Sequence, residues 1–286
     1  KSFQAEGDIR IECKGVSHTA TVYLDGREIA HHYNAYTPFS VVVPGLQPGE
    51  HKLEIKTNNR FHEESALHVP NDYMSYGGVS RPVVAEELNE LYFEYVHVKT
   101  YMKNGKWHAK ISTAISVLKT GQCKGKEITV KGRIGNTNTV FDWKILLTEQ
   151  ERYELQKDLE IDDVKPWSPE NPQLYSVELQ VTRGKEILDD IIDRFGFREI
   201  CVEGQNIRLN GKSLRIKGVC RHEDHPDYGC ALPYQTIYND LVLIQQMGAN
   251  SIRTAHYPND EIFLDLCDEL GILVWEENHA RGLEED

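Results

Sequence analysis

Two short stretches near the C-terminal end of this 286-residue chain hold the side chains best suited to chemistry. They are Cys220-Arg221-His222-Glu223-Asp224-His225-Pro226 and Thr254-Ala255-His256-Tyr257-Pro258. Each follows a short apolar run, where a β-strand would open into a loop, and they lie about one βα unit apart. Polar strand ends in that rhythm are how a (β/α)₈ barrel begins to line a site. The first stretch leaves three readings open. A metal site is one, although His222, Glu223, Asp224 and His225 lack the His-Glu-x-x-His spacing that puts two ligands on one helical face. A hydrogen-bonded corner in which Arg221 ties down carboxylates is the second. The third is a carbohydrate site, because several donors and acceptors at strand ends suit a polyhydroxylated ligand.

The elements around these stretches change period along the chain. From Ile9 to about Leu91 short alternating runs dominate: Ala20, Val22 and Leu24 share one face, and Asp25-Gly26 suits a tight hairpin turn. Val41 to Val43 are expected to stop at Pro44-Gly45. Many short strands with turn chemistry between them predict a jelly roll or sandwich. A second β segment runs from about Tyr92 to Ile200, with Ala109, Ile111, Thr113, Ile115 and Val117 on one face of its clearest strand. Its length and period predict an immunoglobulin-like sandwich. Trp107 and Trp143 are expected in its core, and Lys165-Pro166-Trp167-Ser168-Pro169 forms a rigid turn around an anchored indole.

After Asn210-Gly211 the period becomes strand, helix, strand, helix, strand, a parallel array with crossover helices. The first helix, opening at Tyr234-Gln235, should bury Ile237, Leu241, Ile244 and Met247. The second, Pro258 to Leu270, should bury Ile262, Phe263, Leu266 and Leu270. No Gly-x-Gly-x-x-Gly loop follows the first strand, which weakens a nucleotide-binding version. The fold class is therefore multidomain β plus α/β, with boundaries at 1–91, 92–199 and 200–286.

Composition bounds the partners. The 45 acidic and 32 basic residues give a net charge of −13, spread without a basic block, so nucleic acid is not an expected partner. No apolar run approaches the roughly 18 residues of a membrane span, so no membrane is expected. No charged-then-apolar leader is visible at Lys1, which is compatible with a cytoplasmic or periplasmic location. The six cysteines are far apart and read as free thiols.

Taken in order, several stretches resemble the glycoside hydrolase family that contains β-galactosidase, β-glucuronidase and β-mannosidase. They are Tyr36-Thr37-Pro38-Phe39, Tyr76-Gly77-Gly78-Val79-Ser80-Arg81, Lys165 to Tyr175, Phe195-Gly196-Phe197-Arg198, Gly218 to Pro226, Met247 to Pro258 and Cys267 to Glu277. The resemblance implies a jelly-roll sugar-binding domain, an immunoglobulin-like sandwich and the first part of a TIM barrel. It also implies a retaining exo-β-glycosidase, closest in appearance to β-galactosidase, acting on a β-linked di- or oligosaccharide or glycoside. A β-glucuronidase of the same family and a non-catalytic carbohydrate-binding protein are the alternatives.

The same resemblance implies roles for particular residues. His222 and His256 are similar to histidines that approach the sugar, and Arg253 to an arginine that orders carboxylates at the barrel centre. Asp72 matches an aspartate that reaches sugar hydroxyls, though an Asx turn in its own loop would also account for it. Glu277 occupies an acidic supporting position through which Mg²⁺ would be bound, and no cofactor is otherwise required. His256 could instead cap its strand and pack on Tyr257. The two glutamates of the family reaction follow the fourth and seventh barrel strands, so neither is expected in this chain, and the chain by itself is expected to be inactive. Tyr33, Tyr36, Phe39, Tyr73 and Tyr76 are expected in core or interface rather than as a stacking platform. The unpaired edge at Ile272 to Val274 is compatible with a homo-oligomer.

Overall fold

The structure, a computed structural model, describes residues 1–60 and 73–279. The chain divides into two compact units. One comprises Lys1–Leu88, Ile216–Cys267 and the residues from Ile272 onward; the other comprises Asn89–Arg215 with Asp268–Gly271.

In the first unit an antiparallel sheet is built from β1 (Ser2–Cys13), β3 (Thr19–Leu24), β4 (Arg27–Tyr33), β5 (Phe39–Asn58) and β7 (Val83–Leu88), in the order β4-β3-β5-β1-β7. The short β2 (Val16–Ser17) pairs with β6 (Gly78–Val79) beside it. The alternation of β3 is as its sequence predicts: Ala20, Val22 and Leu24 are buried. Asp25 and Gly26 both take positive φ, 51° and 78°, which the twist of a two-residue hairpin requires. Two expectations fail. The first strand begins at Ser2 rather than near Ile9, and β5 does not stop at Pro44-Gly45. It runs on because β1 pairs with it from Phe39 to Lys52, across Pro44-Gly45, with register shifts at Ala5/Gly7 and Gly7/Ile9, and β3 pairs with it from Leu53 to Asn58. Gly7 and Gly45 absorb the irregularity at φ 74° and 67°, and the Asp8 carboxylate accepts from Gly45 N at 2.9 Å.

The second unit carries two antiparallel sheets on one shared core. β8 (Leu91–Lys103), β9 (Lys106–Val117) and β12 (Arg152–Ile161) form the first, in the order β12-β9-β8. β10 (Glu127–Ile134), β11 (Val140–Leu146), β13 (Tyr175–Arg183) and β14 (Glu186–Phe195) form the second, in the order β11-β10-β13-β14. Ile111 and Ile115 of one sheet and Ile128, Val130, Val177 and Val181 of the other lie in the same buried cluster, with Trp107 and Trp143 packed against it. A single helical turn, α1 (Thr120–Cys123), links β9 to β10. Trp167 is fully buried, with the Arg198 guanidinium 4.7 Å from its ring centroid. A hairpin sheet of β15 (Ile200–Glu203), β16 (Asn206–Leu209) and β17 (Lys212–Ser213) completes this unit.

Back in the first unit, β18 (Gly218–Arg221), β19 (Ser251–Thr254) and β20 (Leu273–Trp275) are parallel neighbours. α2 (Tyr234–Gln246) and α3 (Glu261–Leu270) connect them. The described residues thus hold three parallel strands of a βα array and no closed barrel. α2 buries Ile237, Leu241 and Ile244, but ends at Gln246, so Met247 lies past the last helical residue and is exposed. α3 starts at Glu261, later than expected, and its phase buries Phe263, Leu266 and Cys267 rather than Ile262 and Leu270. Among the described residues no helix is long and apolar enough to cross a membrane.

Candidate functional site

The C-terminal ends of β18, β19 and β20 bring four of the five sequence-derived site residues together; Asp72 lies outside the described residues. Parallel register sets Cys220 beside Arg253 and Arg253 beside Trp275. Arg253 therefore projects from the middle strand toward the loop that leaves β20. Its Nε donates to Glu277 Oε1 at 2.5 Å, and its Nη1 reaches Cys220 Sγ at 3.6 Å.

Glu277 also lies 2.9 Å, through Oε2, from His256 Nδ1, which in turn sits 3.1 Å from Arg253 Nη2. A guanidinium only donates and an ionised carboxylate only accepts. Nδ1 cannot serve both: hydrogen on it satisfies the contact to Glu277, leaves the approach of Arg253 Nη2 without a hydrogen bond, and makes Nε2 the acceptor of that tautomer. Arg253 beside it, opposed by burial and helped by His256, holds the Glu277 carboxyl below the usual carboxylate range. Glu277 N donates to Thr254 Oγ1 at 2.9 Å, fixing the backbone from which the carboxylate projects.

His222 follows β18 and its ring centroid lies 5.5 Å from that of His256, edge to face. Tyr257 supports it: the phenol oxygen accepts from Glu223 N at 3.0 Å and is 3.4 Å from His222 Nδ1. Burial pushes the Tyr257 hydroxyl well above the usual phenol range, so it remains a proton donor. Tyr73 lies against the same group, 5.3 Å from His222, 6.2 Å from His256 and 5.4 Å from Tyr257 between centroids. Tyr36 stacks on Tyr257 at 4.5 Å with only 6° between the planes.

The charged neighbours of His222 do different work. Arg221 is buried and turned away, donating to Asp240 at 2.9 Å and toward Asn259. Glu223, 4 % exposed, is tied to Arg81 at 3.0 Å and accepts from Asp260 N at 2.9 Å. Asp224 accepts from the Tyr76 hydroxyl at 2.6 Å. The hydrogen-bonded corner thus describes Arg221, Glu223 and Asp224, although Arg221 holds Asp240 rather than the acids of its own loop. His222 remains beside His256. Among the described residues no group of three or more His, Cys, Asp or Glu is placed to hold a metal ion. Both Glu277 oxygens already have partners, Oε1 in Arg253 and Oε2 in His256.

Sequence reasoning assigned no role to Arg81 and named Tyr257 only as a packing partner of His256. Both stand inside the stretches that carried the family resemblance, which was the available signal. Of the N-terminal aromatics, Phe39 stacks on His32 and Tyr33 is exposed. Tyr36, Tyr73 and Tyr76 meet the strand-end loops.

The family model described as glycosyl hydrolases family 2 matches residues 91–198, and that of the family 2 TIM barrel domain matches residues 200–285. A β-galactosidase of Thermoanaerobacter pseudethanolicus is 29% identical over 285 residues, covering 94% of this chain and 37% of its own length. A protein described as a putative β-glucuronidase of Formosa agariphila is 25% identical over 266 residues, covering 92% and 32%. Among solved structures, a β-galacturonidase from Eisenbergiella tayi bound to galacturonate aligns at a TM-score of 0.90 and 49% identity. It covers 100% of this chain and 50% of that one. The chain therefore spans between about a third and a half of these relatives.

Proposed function

From the premise that the chain belongs to glycosyl hydrolases family 2, we propose that it forms part of a retaining exo-β-glycosidase that releases a terminal β-linked uronic acid, galacturonic acid foremost. The observation that carries the sugar assignment is the 49% identity, over the full chain, to a β-galacturonidase bound to galacturonate. The β-galactosidase of T. pseudethanolicus reaches 29%. This replaces the expectation of a neutral galactoside and favours the uronide alternative. A glucuronide is the second reading, supported by the β-glucuronidase of Bacteroides uniformis at a TM-score of 0.87 and 25% identity.

The reaction uses two carboxyl groups about 5 to 5.5 Å apart, one protonating the leaving oxygen and the other forming the glycosyl-enzyme. Our reading assigns both to glutamates after the fourth and seventh barrel strands, of which the described residues hold neither. What this chain supplies is orientation. His222 and His256 present ring nitrogens to sugar hydroxyls, Glu277 fixes the His256 tautomer while Arg253 holds Glu277 in place, and Asp72 is assigned a further sugar contact. Binding through groups held rigid before the substrate arrives lowers the barrier without reorganisation at the moment of reaction. A jelly roll to about residue 91, an immunoglobulin-like sandwich to 199 and a barrel from 200 are part of the same reading, supported by family-model boundaries at 91–198 and 200–285.

The test is hydrolysis of nitrophenyl β-D-galacturonide, β-D-glucuronide and β-D-galactoside by the whole enzyme. A site with partners for a carboxylate leaves them unpaired against a hydroxymethyl group. A uronide should therefore exceed the galactoside in kcat/KM by about 100-fold or more. Preference for the galactoside would overturn the assignment.

A further inference from the structure

One guanidinium joins the two histidine loops. Arg81 lies between β6 and β7, far in sequence from either loop, and its side chain is 6% exposed. Its Nη2 donates to Glu223 Oε2 at 3.0 Å and to Pro258 O at 2.6 Å, while Nη1 donates to Tyr36 O at 3.0 Å. Glu223 immediately follows His222, and Pro258 is two residues beyond His256. Glu223 also reaches the second loop itself, through Asp260 N at 2.9 Å.

The remaining contacts act in the same direction. Tyr36, whose carbonyl Arg81 holds, stacks on Tyr257, and Tyr257 in turn meets Glu223 N and His222. Gly15 lets the Arg81 stem pass, since a Cβ there would stand 2.8 Å from Arg81 Cδ. Tyr76 adds a second tie through Asp224, and its ring closes on Gly229, where a Cβ would stand 2.8 Å away.

We propose that Arg81 is a positioning residue, which holds His222 and His256 in register with each other by clamping the loops that carry them. The proposal rests on the reading of those histidines as sugar contacts. The N-terminal sheet then does more than bind sugar: it sets the geometry of groups delivered by the barrel strands. A planar fork with several donors is required, because three acceptors lie in different directions around it. A lysine in the same place keeps the charge but meets fewer of them.

The experiment pairs hydrogen exchange with kinetics on Arg81→Met, Arg81→Lys and Glu223→Gln. Exchange in residues 222–230 and 255–262 should rise about tenfold or more in Arg81→Met, with β1, β5 and the second unit unchanged. Turnover of the preferred glycoside should fall by about 100-fold, mostly in kcat, as expected for a displacement near 1 Å. Arg81→Lys should recover only a small part of it. Glu223→Gln keeps an oxygen for Asp260 N but turns an amide toward Arg81, and carries the same test if Arg81→Met does not fold. Unchanged exchange in either loop overturns the clamp. A uniform rise that includes β1 and β5 also overturns it, since that is general support. Local loosening with full turnover overturns the sugar-contact reading instead and leaves the clamp standing.

Discussion

Removing one oxygen from Tyr257 tests the site at its most buried joint. Tyr257 is 4 % exposed, and Glu223, whose backbone N–H donates to that oxygen at 3.0 Å, is also 4 % exposed. Tyr257→Phe keeps the ring and its stack on Tyr36, but strands the Glu223 N–H away from water. Leaving a buried donor unsatisfied costs about 1–3 kcal/mol. The weaker 3.4 Å contact to His222 is lost with it. Urea denaturation should show a lower midpoint at an unchanged slope, which marks a change of stability rather than of denatured-state compactness. Tyr257→Leu removes the ring as well, so it should cost about a further 0.5–1.5 kcal/mol from the lost aromatic pair, in addition to the cavity it opens. A Phe variant within about 0.5 kcal/mol of the parent would refute the reasoning, because surface-type neutrality is incompatible with an orphaned amide.

Three further outcomes follow from other parts of the chain. Glu277 has a depressed folded pKa, caused first by Arg253, so its contribution to stability is complete above the ordinary glutamate value and disappears as pH falls through the folded one. The stability difference between wild type and Glu277→Gln should therefore be flat above about pH 4.5 and shrink below it, measured by denaturation across pH. His18 is 2 % exposed, neither ring nitrogen has a hydrogen-bond partner among the described residues, and burial lowers its pKa to about 4. The unfolded chain binds the extra proton between that value and about 6.5, so stability should climb with pH over this range by on the order of 3 kcal/mol, and His18→Leu should remove the slope. Trp167→Ala empties a fully buried indole site in the second unit and should cost about 3–5 kcal/mol in calorimetry or denaturation.

How much of this was legible depends on sequence separation. Local period announced β3, β9 and the buried positions Ile237, Leu241 and Ile244, because alternation and helical spacing are set by neighbours on the same element. The ends failed where tertiary context decides: β5 continues through Pro44-Gly45 because β1 pairs with it, and Met247 falls just past the end of α2. Strand ends in a parallel array pointed to His256, and the family resemblance added Arg253 and Glu277. Arg81 was not, since its partner Glu223 is 142 residues away and no local pattern encodes that pair. The proposed sugar was the least legible feature. Galactose and galacturonic acid share their ring hydroxyls and differ at C6, so residues that meet ring hydroxyls do not distinguish them.

The most direct measurement follows the histidine ring signals of the whole protein by NMR as galacturonate is added. The account predicts that His222 and His256 shift together with one common Kd, while His97 and His108 of the second unit stay in place. Titration of only one of the pair, or of the two with different constants, would contradict the claim that adjacent strand ends converge on a single sugar ring.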